Sequence, residues 1–170
     1  YWIEEPVQPA DYDAYERLAA ATDVPLAGGE SEESPSELKR LSETSVDYLQ
    51  GDVRHHCGFT GCWELIEACA DDGSITFVPH NFGTHLGLVA NAHLITASPE
   101  SPLLEYPLFG SDVAGMYPFP LAEDVLLTDL DIADGQLRLP DRPGLGVEVD
   151  ESVIEDYPHV DGPWTEFVYE

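Results

Sequence analysis

Residues 46–80 read VDYLQGDVRHHCGFTGCWELIEACADDGSITFVPH, and this stretch decides the fold. VDYLQGD is a short apolar run ending in an acid, Asp52. A helical pattern follows from about Thr60, placing Trp63, Ile66 and Ala70 on one face, and Gly73 stops it. ITFVPH is a second apolar run, and it ends at His80. Two strands joined by a helix of this length pair in parallel through a right-handed crossover.

The same unit recurs in both directions. Upstream, Tyr1–Ile3 favours a buried strand and ends in the paired acids Glu4 and Glu5. A helix is predicted near 11–21, with Tyr15, Leu18 and Ala19 on one face. VPLAGGE (24–30) is a strand ending at Glu30. In SPSELKRL (34–41), Ser34 is an N-cap, Pro35 sits at the first helical position, and Glu37 closes a capping box. Downstream, THLGLVANAHLITA (84–97) is a strongly apolar helix, and PLLEY (102–106) is a last short strand carrying Glu105.

The strand ends Glu4, Glu30, Asp52, His80 and Glu105 are 26, 22, 28 and 25 residues apart, the length of one βα unit. Every unit ends in an ionisable group on the same side of the sheet. In a (β/α) barrel that side holds the active site. A doubly wound open sheet also accommodates the pattern, but its ligands gather at one switch point, and no G-x-G-x-x-G follows the first strand. Any single strand-end acid in an acidic chain is ordinarily a solvated surface group. Five successive ones, His80 among them, point to a site.

The chain carries 34 Asp and Glu against 6 Lys and Arg, a net charge of −28, with the acids spread along its whole length. This balance indicates adaptation to very high salt, where screening confines repulsion to about 3 Å at 1 M. A calcium buffer or a partner of a basic protein are the alternatives, although no D-x-D-x-D-G loop is present. The charge argues against nucleic acid, and no run of 18 apolar residues indicates a membrane span. The 170 residues suffice for one sizeable domain. Cys57, Cys62 and Cys69 fit neither a disulfide framework nor a C-x-x-C pair, so a reduced, cytoplasmic protein is expected. His55, His56 and Cys57 read as a polar loop in the absence of a second cluster that would complete a tetrahedral site. The chain starts inside a strand and its one Met is Met116, so part of the natural protein is expected to precede Tyr1.

WIEEP (2–6), LAGGE (26–30), QGDV (50–53) with GFTGC (58–62), VPHNFGTHLGL (78–88) and LLEY (103–106) resemble, in order and spacing, the strand ends of the enolase superfamily in its mandelate racemase-like branch. PDRPGLGVEVDE (140–151) is similar to the closing segment of that family. The resemblance implies a modified (β/α)7β barrel with a separate capping domain. Residues 1–106 would supply the fourth to eighth strands. Residues 107–170 would form a C-terminal segment that closes the barrel and packs toward a capping domain absent from this chain. LDIADGQLRL (130–139) is predicted to form a hairpin turning at Asp134–Gly135.

Carried over position by position, the resemblance makes Glu4 and Glu30 ligands of Mg2+, which suits hard oxygen donors. Adjacent strand residues face opposite ways, so Glu4 and Glu5 cannot both point inward. Asp52 and His80 would form a catalytic dyad, and Glu105 would hydrogen-bond a substrate carboxylate. The third metal ligand and a catalytic Lys motif fall on strands this chain does not contain, and Lys39 on an outer helix does not replace them.

The implied activity is removal of the proton α to a sugar-acid carboxylate followed by loss of water. Racemisation, epimerisation or cycloisomerisation in the same superfamily are alternatives, as is a non-catalytic barrel half that associates with another chain. The expected partners are an acid-sugar substrate, the missing N-terminal half or capping domain, and further copies of the same protein. Tyr117 and Phe119 in FGSDVAGMYPFP (109–120) are candidate lid or packing residues. His85 and His93 are read as structural.

Overall fold

The computed structural model describes residues 1–56, 58–98, 103–108 and 121–157. Cys57, Tyr117 and Phe119 lie outside them. Four strands form one parallel sheet in sequence order: β1 (Ile3–Glu4), β2 (Leu26–Gly28), β3 (Tyr48–Leu49) and β4 (Thr76–Phe77). Their registers are Ile3 with Leu26, Ala27 with Tyr48, and Tyr48 with Thr76. Helices α1 (Tyr12–Ala19), α2 (Pro35–Ser42) and α3 (Gly58–Asp72) make the crossovers, and α4 (His85–Thr96) follows β4. An order that advances without reversing is the winding of a barrel, and it rules out a doubly wound sheet, whose order turns back at a switch point.

The ladder continues past the regular strands to the residues that matter. Gln50 N donates to Gly28 O at 2.8 Å, Val78 N to Leu49 O at 3.0 Å, and His80 N to Gly51 O at 3.2 Å. The last of these bonds sets His80 beside Asp52. The core lies between sheet and helices, where Tyr15, Leu26, Leu38, Leu41, Leu49 and Phe77 are buried. Leu38 and Leu41 come from α2, where Ser34 accepts from Glu37 N at 3.3 Å and Glu37 Oε2 accepts from Glu33 N at 2.8 Å. The predicted cap and N1 proline are in place.

Three expectations are corrected. Tyr1–Ile3 is not buried: Tyr1 is 86% and Ile3 38% exposed, and among the described residues β1 pairs with β2 alone. On α3 the buried face is Cys62, Leu65, Ile66 and Cys69, while Trp63 is 36% exposed and its indole N–H donates to Glu67 Oε1 at 3.0 Å. Residues 103–108 form no strand. Pro107 has no N–H to give a ladder, and the segment is fastened through Glu105 instead.

Helix α4 is apolar on most of its surface because neighbours cover it on several sides: α3, α5 (Leu121–Asp124) and the loop at Leu145. His93 Nε2 lies 3.1 Å from Leu145 O. His85 is buried, and that burial lowers its pKa. Both fit a structural reading. Strands β5 (Asp131–Ala133) and β6 (Gln136–Arg138) form the expected antiparallel hairpin. Asp134 and Gly135 at its tip have φ of 52° and 73°, the left-handed pair that a type I′ turn requires. A last helix, α6, spans Glu151–Asp156. Cys62 and Cys69 are buried, and burial pushes the Cys69 thiol up to about 12. Among the described residues no helix is long and apolar enough to cross a membrane.

Candidate active site

The site is built at the C-terminal ends of β1–β4. Glu4 closes β1, and its Oε2 accepts from Trp2 Nε1 and Gln50 Nε2, each at 2.9 Å. Glu5 turns away on a backbone with φ of 40°, and its carboxylate accepts from Ser31 N at 3.1 Å and Ser31 Oγ at 2.6 Å. The adjacent acids therefore diverge, through the turn that ends β1 at Glu4. Glu30, two residues beyond β2, places Oε2 3.0 Å from His80 Nε2.

Asp52 is completely buried. Its Oδ1 accepts from Arg54 N at 2.8 Å, Arg54 Nε at 3.0 Å and Asn91 Nδ2 at 3.3 Å. Its Oδ2 accepts from Arg54 Nε at 3.0 Å and from Arg54 Nη2, and it lies 3.2 Å from His80 Nδ1. Burial alone would raise the Asp52 pKa. Hydrogen bonds from His80 and Arg54 more than reverse this and hold the carboxyl well below the usual carboxylate range.

His80 thus sits between two carboxylates, one at each ring nitrogen. Burial alone would lower its pKa, but the Asp52 hydrogen bond and the charges of Glu30 and Glu105 outweigh burial and raise it. Each ring nitrogen lies within hydrogen-bonding distance of a carboxylate oxygen, Nδ1 of Asp52 and Nε2 of Glu30. Glu105 Oε2 accepts from Asn81 N at 2.6 Å. Burial raises its pKa, with Glu4 and Asp52 adding to the rise and Asn81 N and His80 opposing it. Burial also raises the pKa of Glu30; Glu5, Glu4 and Glu105 add to that rise, and His80 opposes it.

The structure therefore brings Glu30, Asp52 and His80 into direct contact, with Glu4 and Glu105 acting on them through charge. Four residues join the site that the strand-end pattern did not single out. Arg54 was legible as the one cation next to a strand end. Asn91 was legible as an amide inside an apolar helix; its Oδ1 accepts from Val53 N at 3.2 Å and its Nδ2 donates to His80 O at 3.1 Å. Gln50 reaches Glu4. His56, read as part of a polar loop, is fully buried instead. Its Nδ1 accepts from Asp52 N at 2.9 Å and its Nε2 donates to Glu32 O at 2.8 Å, so the neutral ring ties the β3 turn to the β2–α2 loop.

Among the described residues no group of three or more His, Cys, Asp or Glu is arranged to hold a metal ion. The donor set nevertheless fits a hard divalent cation in part. Glu4 and Glu30 offer carboxylate oxygens, and the charges of Glu5, Glu4 and Glu105 add to the burial that raises the Glu30 pKa, a repulsion that a bound cation would relieve.

Parallel strands in unreversed order, a helix after each and ionisable groups at one set of strand ends define this class of molecule: a consecutive portion of a (β/α) barrel with its site at the strand ends. The chain belongs to the enolase C-terminal domain-like family, which it matches over residues 1–153. It is 31% identical to the D-galactarolactone cycloisomerase of Agrobacterium fabrum over 92% of this chain and 41% of that protein. It is 36% identical to the D-galactonate dehydratase of Variovorax paradoxus over 90% of this chain and 40% of that one. A crystal structure of a member of the enolase superfamily from Polaromonas sp. JS666 superposes with a TM-score of 0.81 at 32% identity, covering 95% of this chain and 41% of that one. The chain thus spans about two fifths of the length of the relatives it matches.

Proposed function

We propose that this chain is the C-terminal barrel portion of a Mg2+-dependent lyase that removes the α-proton of a sugar-acid carboxylate and eliminates water. The observation that carries the reading is His80 clasped between Asp52 and Glu30, with the half-buried carboxyl of Glu105 at the same rim. Asp52 accepts from Nδ1 and so fixes the ring with Nε2 toward the mouth. In elimination the Cα–H bond breaks, its electron pair forms the new double bond, and the β-hydroxyl leaves with a proton. His80 Nε2 takes the α-proton in its neutral form or delivers the proton to the departing hydroxyl in its charged form. Glu105, whose pKa burial raises, would hydrogen-bond the substrate carboxylate. Mg2+ would be held by Glu4, Glu30 and a ligand from outside this chain, and it would supply positive charge at the substrate carboxylate.

A second reading, cycloisomerisation, draws on the likeness to the galactarolactone enzyme, and the same dyad would serve it or a racemase. A non-catalytic barrel half that associates with another chain remains the third, and the exposed β1 edge is the feature it would use. The full-length polypeptide, assayed against a panel of aldonic and aldaric acids with Mg2+ in molar KCl, separates these. A 2-keto-3-deoxy acid product supports the lyase. A lactone or ring-opened isomer replaces it with the cycloisomerase. Exchange of the α-proton with solvent deuterium and no net product indicates a racemase. No turnover and no exchange leave the association role. Glu30→Gln should abolish turnover and weaken Mg2+ binding while leaving the melting temperature within a few degrees, and undiminished turnover would remove Glu30 from the metal site.

A further inference from the structure

Asp52 receives more hydrogen bonds than a dyad requires, and most come from one residue. Arg54 gives its backbone N–H and Nε to Oδ1, and Nε and Nη2 to Oδ2. Its Nη1 donates to Phe82 O at 3.0 Å, in the turn between His80 and α4. One guanidinium therefore spans both halves of the dyad. It grips the acid after β3 and the backbone two residues beyond the histidine after β4.

The groove that holds Arg54 is made by absent side chains. At Gly87, in the first turn of α4, a Cβ would stand 2.7 Å from Arg54 Cδ and 3.0 Å from Nε. At Gly83, with φ of 152°, a Cβ would collide with Nη1. Two glycines thus clear a channel that one arginine fills. The other Lys and Arg lie elsewhere: Arg17 on α1, Lys39 and Arg40 on α2, and Arg138 and Arg142 in or after the hairpin. In a chain with 34 acids and 6 such cations, this is the one at the strand-end rim. It is directed at the acid that orients His80.

We propose that Arg54 is the positioning residue of the dyad: seated in the Gly83–Gly87 groove, it fixes the Asp52 carboxylate with Oδ2 toward His80 Nδ1 and ties that carboxylate to the turn carrying His80. The proposal rests on reading Asp52 and His80 as the reacting pair. Arg54 itself touches no reacting atom. A planar fork is needed for this work. A lysine ammonium is a point charge and would neutralise Asp52 without setting its plane.

The test uses Gly87, because the two readings part there on turnover. Alanine inside a helix is ordinarily favoured over glycine. If Arg54 only fills space, Gly87→Ala in the full-length protein should leave kcat unchanged, with the melting temperature unchanged or higher. If the seated fork matters, Gly87→Ala displaces Arg54, and kcat should fall at least tenfold with KM within about threefold. In an Arg54→Ala background the same Gly87→Ala change should then have no further effect on kcat. Arg54→Lys should keep the fold and lose as much kcat as Arg54→Ala, and added guanidinium ion should partly restore Arg54→Ala but not Arg54→Lys.

A readout independent of turnover keeps the proposal separate from the assigned reaction. With 15N-labelled histidine, the hydrogen-bonded His80 Nδ1 proton should give a downfield signal that is slow to exchange in the parent. That signal should be lost in Arg54→Lys and Gly87→Ala at an unchanged melting temperature. Persistence of the signal in both variants, or additive effects of the Arg54 and Gly87 changes, overturns the proposal whatever the enzyme's substrate proves to be.

Discussion

At the β3–β4 end of the rim, Asp52, His56 and Asn91 are buried, and the acid and ring nitrogens there are bonded to named partners. At the β1 end, Tyr1 is 86% exposed and Ile3 and Glu4 are exposed, and the acids meet Trp2, Gln50 and Ser31 instead of a neighbouring strand. Both ends carry carboxylates on the same parallel sheet. They differ in what covers each strand end: β3 lies between β2 and β4, and Asn91 of α4 bonds Asp52 and His80 O, whereas among the described residues β1 has β2 alone. A covered strand end lies in a low-dielectric setting where a hydrogen bond fixes geometry and shifts pKa. An uncovered one leaves its acid in water, where the same charge does little. The pair that the proposed function assigns to proton transfer is therefore organised within this chain, while the carboxylates it assigns to Mg2+ are not.

The largest expected effect breaks the organised end. His80→Asn removes the titratable nitrogen and should reduce turnover of the full-length enzyme by about 10² or more, the usual worth of general acid–base catalysis. Asp52→Asn should cost turnover less, since it misorients the ring without deleting it. It should cost more stability than His80→Asn, because it leaves the Arg54 fork without its carboxylate. Normal product formation by His80→Asn would show that the interlocked end is scaffolding and not the reacting site.

The next effect concerns the whole chain. With a net charge of −28, removing screening should weaken the fold. Molar KCl is expected to raise the melting temperature relative to about 0.1 M, where the Debye length is about 10 Å. The buried pairs at the β3–β4 end are screened less than the acids of the outer helices. The His80 proton signal should therefore survive dilution that already lowers the melting temperature. Equal melting temperatures across that range defeat the high-salt reading.

The sequence made the fold legible because periodicity and spacing carry it. Runs ending at Glu4, Glu30, Asp52 and His80, a capping box at Ser34 and an Asp134–Gly135 turn are local signals, and each has its local structure. Exposure was not legible in the same way. Tyr1–Ile3 has the composition of a buried strand, and only the order of strands shows that it lies at an edge. On α3 the true buried face is rotated from the one Trp63 suggested, because an indole that finds Glu67 can remain outside. The Asp52–His80 contact followed from consecutive strand ends. Its supports left fainter signals, Arg54 as a cation beside a strand end, Asn91 as an amide in an apolar helix and His56 in a polar loop, and what each one bonds is set by folding, Asn91 reaching Asp52 across 39 residues.

A smaller effect sharpens the same contrast through pH. The folded pKa of His80 is raised, so its contribution to stability is fully present below the unfolded value of 6.5 and is lost as pH rises through the folded value. The stability advantage of the parent over His80→Asn should therefore be greatest near pH 6 and shrink toward pH 9, as read from denaturant midpoints at fixed high salt. A difference that grows with pH would show that His80 folds as the neutral ring.

The smallest effect distinguishes two adjacent residues. Glu4 and Glu5 have the same side chain and lie on the same exposed edge, but Glu4 faces Gln50 across the rim and Glu5 faces Ser31 outside it. Glu5→Gln removes a charge-assisted bond in contact with water, where such bonds contribute little. It should change stability by no more than about 0.5 kcal/mol, the usual range for a surface substitution, and leave turnover and Mg2+ affinity unaltered. Glu4→Gln should be equally mild for stability, because Gln50 can still donate to the amide oxygen, yet it should weaken Mg2+ binding measurably by calorimetry on the full-length protein. The two substitutions are matched in chemistry and adjacent in sequence, so a difference between them reports the direction in which each acid points. Should Glu5→Gln weaken Mg2+ binding and Glu4→Gln not, the inward and outward assignments of β1 are reversed, and the metal half of the site must be built from the Glu5–Ser31 side.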